Sequence, residues 1–66
     1  MLTERLGMRL RRLRTARGLN QTALAKKADL SQPYVAQLEL GLRNPTLDVL
    51  RRLAKALRCT VAELVE

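Results

Sequence analysis

The sequence predicts an all-α domain of five short helices, and three observations carry that prediction. Leu2, Leu6, Leu10 and Leu13 recur at spacings of four, four and three, which is one stripe of a helix and not the alternation of a strand. Asn20, Ser31, Thr46 and Thr60 each precede a run of helix-forming residues, where a side-chain oxygen accepts an orphan amide of the first turn. Only 2% of the residues are aromatic, the single Tyr34, so the core has to be built from Leu, Val and Ala, a composition that favours helix.

The elements follow in order. The first helix ends near Arg17, with Gly18 as its stop. After the Asn20 cap, QTALAKKA makes a short second helix to about Ala28, with Ala23, Leu24 and Ala28 available to face inward, and Asp29 and Leu30 form the turn. Ser31 caps a third helix over about residues 32–40, ended by Gly41. Pro33 is tolerated there because first-turn amides have no intrahelical acceptor. Val35 and Leu38 point to one side of this helix, while Gln32, Pro33, Ala36 and Gln37 lie elsewhere around it.

The segment LRNP is a loop by composition. Thr46 caps the fourth helix, with Asp48 near its positive end and Leu47, Leu50, Ala54 and Leu57 as the inner stripe. Val49, Leu53 and Ala56 widen that stripe beyond the usual need of one helix. Thr60 and Glu63 match the capping box, so a last helix spans about residues 61–65.

A chain of 66 residues makes one domain, residues 1–66, near the lower end of what folds without disulfides or metal. Most large apolar side chains are then committed to one core, which leaves little room for a catalytic cleft. Thirteen Lys and Arg face six Asp and Glu, a net charge of +7, and a field of that density attracts polyanions. Nucleic acid is the first candidate and an anionic membrane surface the second.

Cys59 is alone and the chain has no His, so no intramolecular disulfide, zinc site or histidine acid–base pair is expected. The thiol is expected to pack as a small apolar group. There is no glycine-rich phosphate loop, and the reading disfavours an enzyme. No cofactor and no small-molecule effector are expected. No apolar run approaches a membrane span or a signal-peptide core, so a cytoplasmic chain that does not enter the membrane is expected.

Two short helices joined by a tight turn, the second capped by Ser31 and stopped by Gly41, form the pattern in which the second helix enters the major groove by its leading end. On that geometry Gln32, Pro33, Tyr34 and Gln37 are the positions that reach base edges. The two glutamines give and take hydrogen bonds on adenine. Pro33 and Tyr34 offer shape, contact with a thymine methyl, or one phenolic hydrogen bond. The plainer alternative makes Gln32 and Gln37 solvated helix residues, Tyr34 a packing residue against the loop, and Arg43 a soluble loop residue. Arg14 lies one turn after Leu10 and Glu39 one turn after Val35, so both charges point inward and are expected to pair.

The stretch GLNQTALAKKADLSQPYVAQLELGLRNPTLDVLRRLAKALRCTVAEL, with Gln21, Leu24-Ala25, the Ser31 cap, Glu39-x-Gly41 and Asn44-Pro45 in register, resembles the Cro and phage-repressor type of helix-turn-helix domain, the XRE-like family. The likeness runs from roughly Met8 to the end. It implies a compact five-helix repressor-like fold whose helix-turn-helix spans about residues 20–41, with helices over about 46–65 for packing and pairing. It also implies base contacts by Gln32, Pro33, Tyr34 and Gln37, phosphate contacts by Gln21, Ser31, Arg43 and Asn44, and a buried pair of Arg14 with Glu39. Pro33 and Tyr34 depart from the small polar residues common at those positions.

The implied partners are double-stranded operator DNA and a second copy of the chain, paired through Arg58, Val61, Leu64 and Val65. The implied function is a sequence-specific transcriptional regulator. Two other classes remain open: a protein-interaction module such as an antitoxin, for which Leu40 and Leu42 beside Gly41 speak, and a nonspecific polyanion binder, for which the charge alone suffices.

Overall fold

The computed structural model describes the backbone of residues 2–66 and the side chains from Thr3 onward. The elements are α1 (Leu2–Ala16), α2 (Gln21–Ala28), α3 (Gln32–Glu39), α4 (Leu47–Leu57) and α5 (Val61–Val65), with no strand among the described residues. The fold is all-α with five helices, as the periodicity and capping signals predict. The place of Leu2 in the first stripe lies outside the described side chains.

Each expected N-cap oxygen accepts its amide, though of the α5 capping box only the Thr60 half forms. Asn20 Oδ1 accepts from the Ala23 amide at 2.7 Å, Ser31 Oγ from Tyr34 at 3.2 Å, Thr46 Oγ1 from Val49 at 3.2 Å and Thr60 Oγ1 from Glu63 at 3.1 Å. Gly18 and Gly41 close α1 and α3 with φ of 69° and 76°, a region glycine enters without a Cβ penalty. The ends of α2 and α4 reach the same left-handed conformation on Asp29 and Arg58, with φ of 56° and 55°.

Arg9 of α1 and Arg17 just beyond it finish other helix ends. Arg9 donates to the carbonyls of Glu63, at 3.2 Å, and Glu66 at the end of α5, Arg17 donates to the Leu57 carbonyl at the end of α4, and Arg14 Nη1 donates to Leu19 O at 2.9 Å. The Glu63 and Leu57 carbonyls lie in the last turns of α5 and α4, where no amide of the same helix reaches them, while Leu19 sits in the loop between α1 and α2.

The core is six leucines (Leu10, Leu24, Leu38, Leu53, Leu57 and Leu64) and Val35, all fully buried, with Leu6, Ala25, Ala28 and Ala54 around them. Each large side chain contributes about 1.5–3 kcal/mol by leaving water. Cys59 packs half-buried against this cluster, as a small apolar group would. Burial also raises its thiol pKa, with the Glu63 charge adding to the effect and Arg17 opposing it, so the thiolate that reacts is disfavoured.

Three expectations about the core change. Leu47 is 54% exposed and Leu50 half-buried, while Leu53 is fully buried. The inner face of α4, which packs on both α2 and α5, is therefore Leu53, Ala54 and Leu57, and the first-turn Leu47 stays outside it. In α2, Ala25 is buried where Ala23 is only half-buried. Leu64, expected on a pairing surface, has no exposed area; α5 is a single turn and packs on α1 and α4, so its central leucine fills the core of its own chain.

Gly7 fixes how closely α1 and α3 approach. A Cβ there would lie 2.5 Å from the Glu39 carbonyl oxygen and 2.6 Å from that of Leu38, and backbone cannot move aside as a flexible side chain does. Gly7→Ala gains about 1 kcal/mol of helix propensity, but it forces the two helices apart in a packed seam. We expect a net loss of about 1–3 kcal/mol in urea unfolding. A variant as stable as the parent would show that the seam is looser than described.

Candidate nucleic-acid interface

The pair α2–α3 is built by burial on one side only. Leu24, Ala25 and Ala28 of α2 and Val35 and Leu38 of α3 enter the core, and the turn between the helices is held by the Leu30 amide donating to Ala25 O at 2.8 Å. With its inner face fixed, α3 turns Gln32 and Pro33 out as exposed residues at its leading end. Gln37 is half-buried farther along. Tyr34 is also half-buried and packs against the core cluster, so the packing alternative for its ring is present.

A hydrogen-bonded chain runs from the interior to this leading end. Arg14 Nε meets Glu39 Oε2 at 2.5 Å and Arg14 Nη2 meets Glu39 Oε1 at 2.9 Å, a two-pronged contact suited to a guanidinium and a carboxylate. The side chains are only 11% and 5% exposed, so the inward-pointing charges are paired between α1 and α3. Glu39 Oε1 also accepts from Gln21 Nε2 at 3.1 Å, and Gln21 Oε1 accepts from Gln32 Nε2 at 2.9 Å. The Glu39 hydrogen bond raises the Arg14 pKa further above its already high ordinary value, against a smaller opposing effect of burial. The Arg14 guanidinium is therefore held in its charged form beside Glu39.

The loop after α3 folds back on it. Arg43 Nε donates to Gln37 Oε1 at 2.7 Å, which joins a residue expected at phosphate to one expected at bases. Asn44 is exposed beside it, and Ser31 is exposed with its hydroxyl engaged as the α3 cap. Of the residues expected to pair two copies, Arg58 is exposed and Val61 and Val65 are half-buried, but Leu64 is fully buried.

Sequence reading did not find the links from Gln21 to Glu39 and Gln32 or from Arg43 to Gln37. The first two join residues 18 and 11 apart, and no local signal marks such pairs. The helix α3 itself carries no Lys or Arg. Positive charge therefore has to reach any polyanion at this face from neighbouring elements. Among the described residues, no helix is long and apolar enough to cross a membrane.

A family model described as helix-turn-helix matches residues 10–64, which contain all the elements just described from the middle of α1 to α5. The chain belongs to this helix-turn-helix family. It is 45% identical over 58 residues to the HTH-type transcriptional regulator DdrOP3 of Deinococcus deserti, covering 88% of this chain and 45% of that protein. It is 40% identical over 60 residues to the immunity repressor protein of Bacillus phage phi105, covering 91% of this chain and 42% of the repressor. The helix-turn-helix chain thus spans less than half the length of these two relatives.

Among solved structures, the restriction-modification controller protein C.AhdI of Aeromonas hydrophila superposes with a TM-score of 0.92 at 44% identity, covering 94% of each chain. The five-helix arrangement of this helix-turn-helix protein is therefore that of a controller protein over nearly its whole length.

Removing one half of the inner pair should be costly. Glu39→Ala leaves the Arg14 guanidinium between α1 and α3 without its carboxylate and is expected to lose about 3–5 kcal/mol in urea unfolding. The double variant Arg14→Met with Glu39→Leu should recover most of that loss, because it removes the stranded charge as well. A loss below about 1 kcal/mol for the single change would mean the pair behaves as exposed surface charges do.

Proposed function

We propose that this protein is a sequence-specific transcriptional regulator that binds double-stranded DNA by placing the leading end of α3 in the major groove. The observation that carries this reading is the exposed leading end with Gln32 held through Gln21 from the partly buried Glu39–Arg14 pair. An amide fixed in this way meets a base edge with little rotamer freedom left to lose. Gln32, Pro33, Tyr34 and Gln37 face the bases; Gln21, Ser31, Arg43 and Asn44 face the phosphates on either side. The named relatives, a transcriptional regulator, an immunity repressor and a controller protein, support regulation of transcription; repression or autoregulation in the cytoplasm completes the proposal.

One such helix covers four or five base pairs, too few to mark one site in a genome, so two copies are expected to pair on a palindromic operator. Arg58, Val61 and Val65 form the pairing surface. Half-site centres then lie about one helical turn apart, near 34 Å. Sedimentation that finds only monomers, free and on duplex, would remove this part of the proposal.

A second reading rests on Leu40 and Leu42, which are 71% and 69% exposed beside Gly41. Apolar surface of that kind suits a protein partner, as in an antitoxin that covers a toxin and also binds its own operator. A nonspecific polyanion binder would need only the charge of +7. Competition separates the last of these, because a sequence reader keeps a ratio of at least about 10³ between operator and random duplex.

Selection of binding sites from random duplexes, repeated with variants, tests the assignment. Gln32→Ala and Gln37→Ala should each relax one base position, at about 1–3 kcal/mol of discrimination. Arg43→Ala should weaken all duplexes about equally and reduce the salt slope by about one. Unchanged base preferences in both glutamine variants would contradict major-groove reading by α3.

A further inference from the structure

Gly7, Arg11 and Arg14 follow the spacing i, i+4, i+7 and share one face of α1. Both ends of that row meet α3. The Gly7 backbone lies against the Leu38 and Glu39 carbonyls, and Arg14 bonds the Glu39 carboxylate. Arg11 stands between them, exposed, and its guanidinium has no carboxylate partner among the described residues. It lines a notch of about 280 Å³ together with Gln21, Ala36, Leu40 and the Arg14–Glu39 pair. Arg12 is its neighbour in sequence but faces another way, lining surface clefts with Met8 and Arg9 on one side and with Leu13 and Glu63 on another.

The charge distribution makes this notch consequential. A duplex laid along the outer face of α3 brings phosphates to both sides of the helix, yet α3 has no cation of its own. Arg14 is neutralised by Glu39. On one side the loop supplies Arg43, which bonds Gln37 through Nε. On the other side, at the start of α2, Gln21 has both ends of its amide engaged, with Glu39 and with Gln32. The cation that shares a notch with Gln21 and has no ion-pair partner is Arg11.

We propose that Arg11 contacts the DNA backbone beside Gln21, so that α1 is part of the DNA interface as well as a support for α3. This rests on the reading of α3 given under Proposed function, and the two can fail separately. A backbone contact positions the protein and carries no sequence information. Arg11 therefore sets affinity and register, not base preference.

The test compares Arg11→Gln with Arg12→Gln. The substitutions remove the same charge from adjacent exposed positions on different faces of one helix. At about 0.15 M salt, where fields fade over roughly 8 Å, only a contacting charge matters strongly. Affinity is measured on the duplex selected by the wild-type protein and on random duplex, across a series of salt concentrations.

Arg11→Gln is expected to weaken binding to both duplexes about tenfold, the effect of losing one charge-assisted hydrogen bond, and to make the salt slope shallower by about 0.9. Arg12→Gln should change affinity by less than about twofold, and Arg11→Lys should keep the wild-type salt slope. Equal losses for Arg11→Gln and Arg12→Gln, with wild-type discrimination intact, would overturn the role of Arg11 and leave α3 as the reader. A changed base preference in Arg11→Gln would also overturn a backbone role. Wild-type protein that fails to distinguish selected from random duplex would instead overturn the reading of α3 itself.

Discussion

The Glu39 carboxylate is the point on which the arrangement of the first three helices depends. One oxygen takes Arg14 Nε; the other takes Arg14 Nη2 and Gln21 Nε2. A single side chain at the end of α3 thus joins α1, α2 and α3. Its backbone carbonyl meanwhile lies against Gly7. Burying an ion pair is weak evidence for stability, because the cost of desolvation offsets much of the attraction. What the pair supplies here is geometry: it sets the position of α3 against α1, and through Gln21 it limits where the Gln32 amide can point.

The arginines show how a small basic domain divides one residue type among several physical tasks. Arg9 and Arg17 complete the carbonyl ends of α5 and α4, and Arg14 is neutralised inside the α1–α3 seam. Arg52 is tied to Asp48 at 3.0 Å and to the Asp29 carbonyl at 3.2 Å. The count of thirteen Lys and Arg therefore overstates the number of cations free to meet a ligand. Nor is the remaining charge on α3, which carries no basic residue. The proposed function would thus assign attraction and recognition to different elements, as where phosphates position a protein and base edges specify its site.

The core accounts for more of the apolar sequence than its size suggests. Without Phe or Trp, leucines from α1, α2, α3, α4 and α5 fill one centre. That centre takes up Leu53 and Leu64, two of the residues that look surplus when each helix is considered alone. The surface open to the proposed pairing around α5 is correspondingly narrower, with Arg58 exposed and Val61 and Val65 only partly so. The exposed large apolar residues instead include Leu40, Leu42 and Leu47, around the segment between α3 and α4.

How much was legible in the sequence follows from the range of each interaction. The four caps, the glycine stops, the helix order and the inward faces of α1 and α3 are fixed by residues within about four positions of one another, and the sequence by itself determined them. The Arg14–Glu39 pair was also readable, since each charge sits one turn from a core residue on its own helix. Tertiary structure decided the rest: the burial of Leu53 and Leu64 and the exposure of Leu47, the close approach at Gly7, the links from Gln21 to Glu39 and Gln32, and the fold-back of Arg43 on Gln37. Each of these depends on which segment lies opposite or how far it reaches. A helix's own periodicity gives the direction of a side chain, but the neighbour it meets is set by packing among distant parts of the chain.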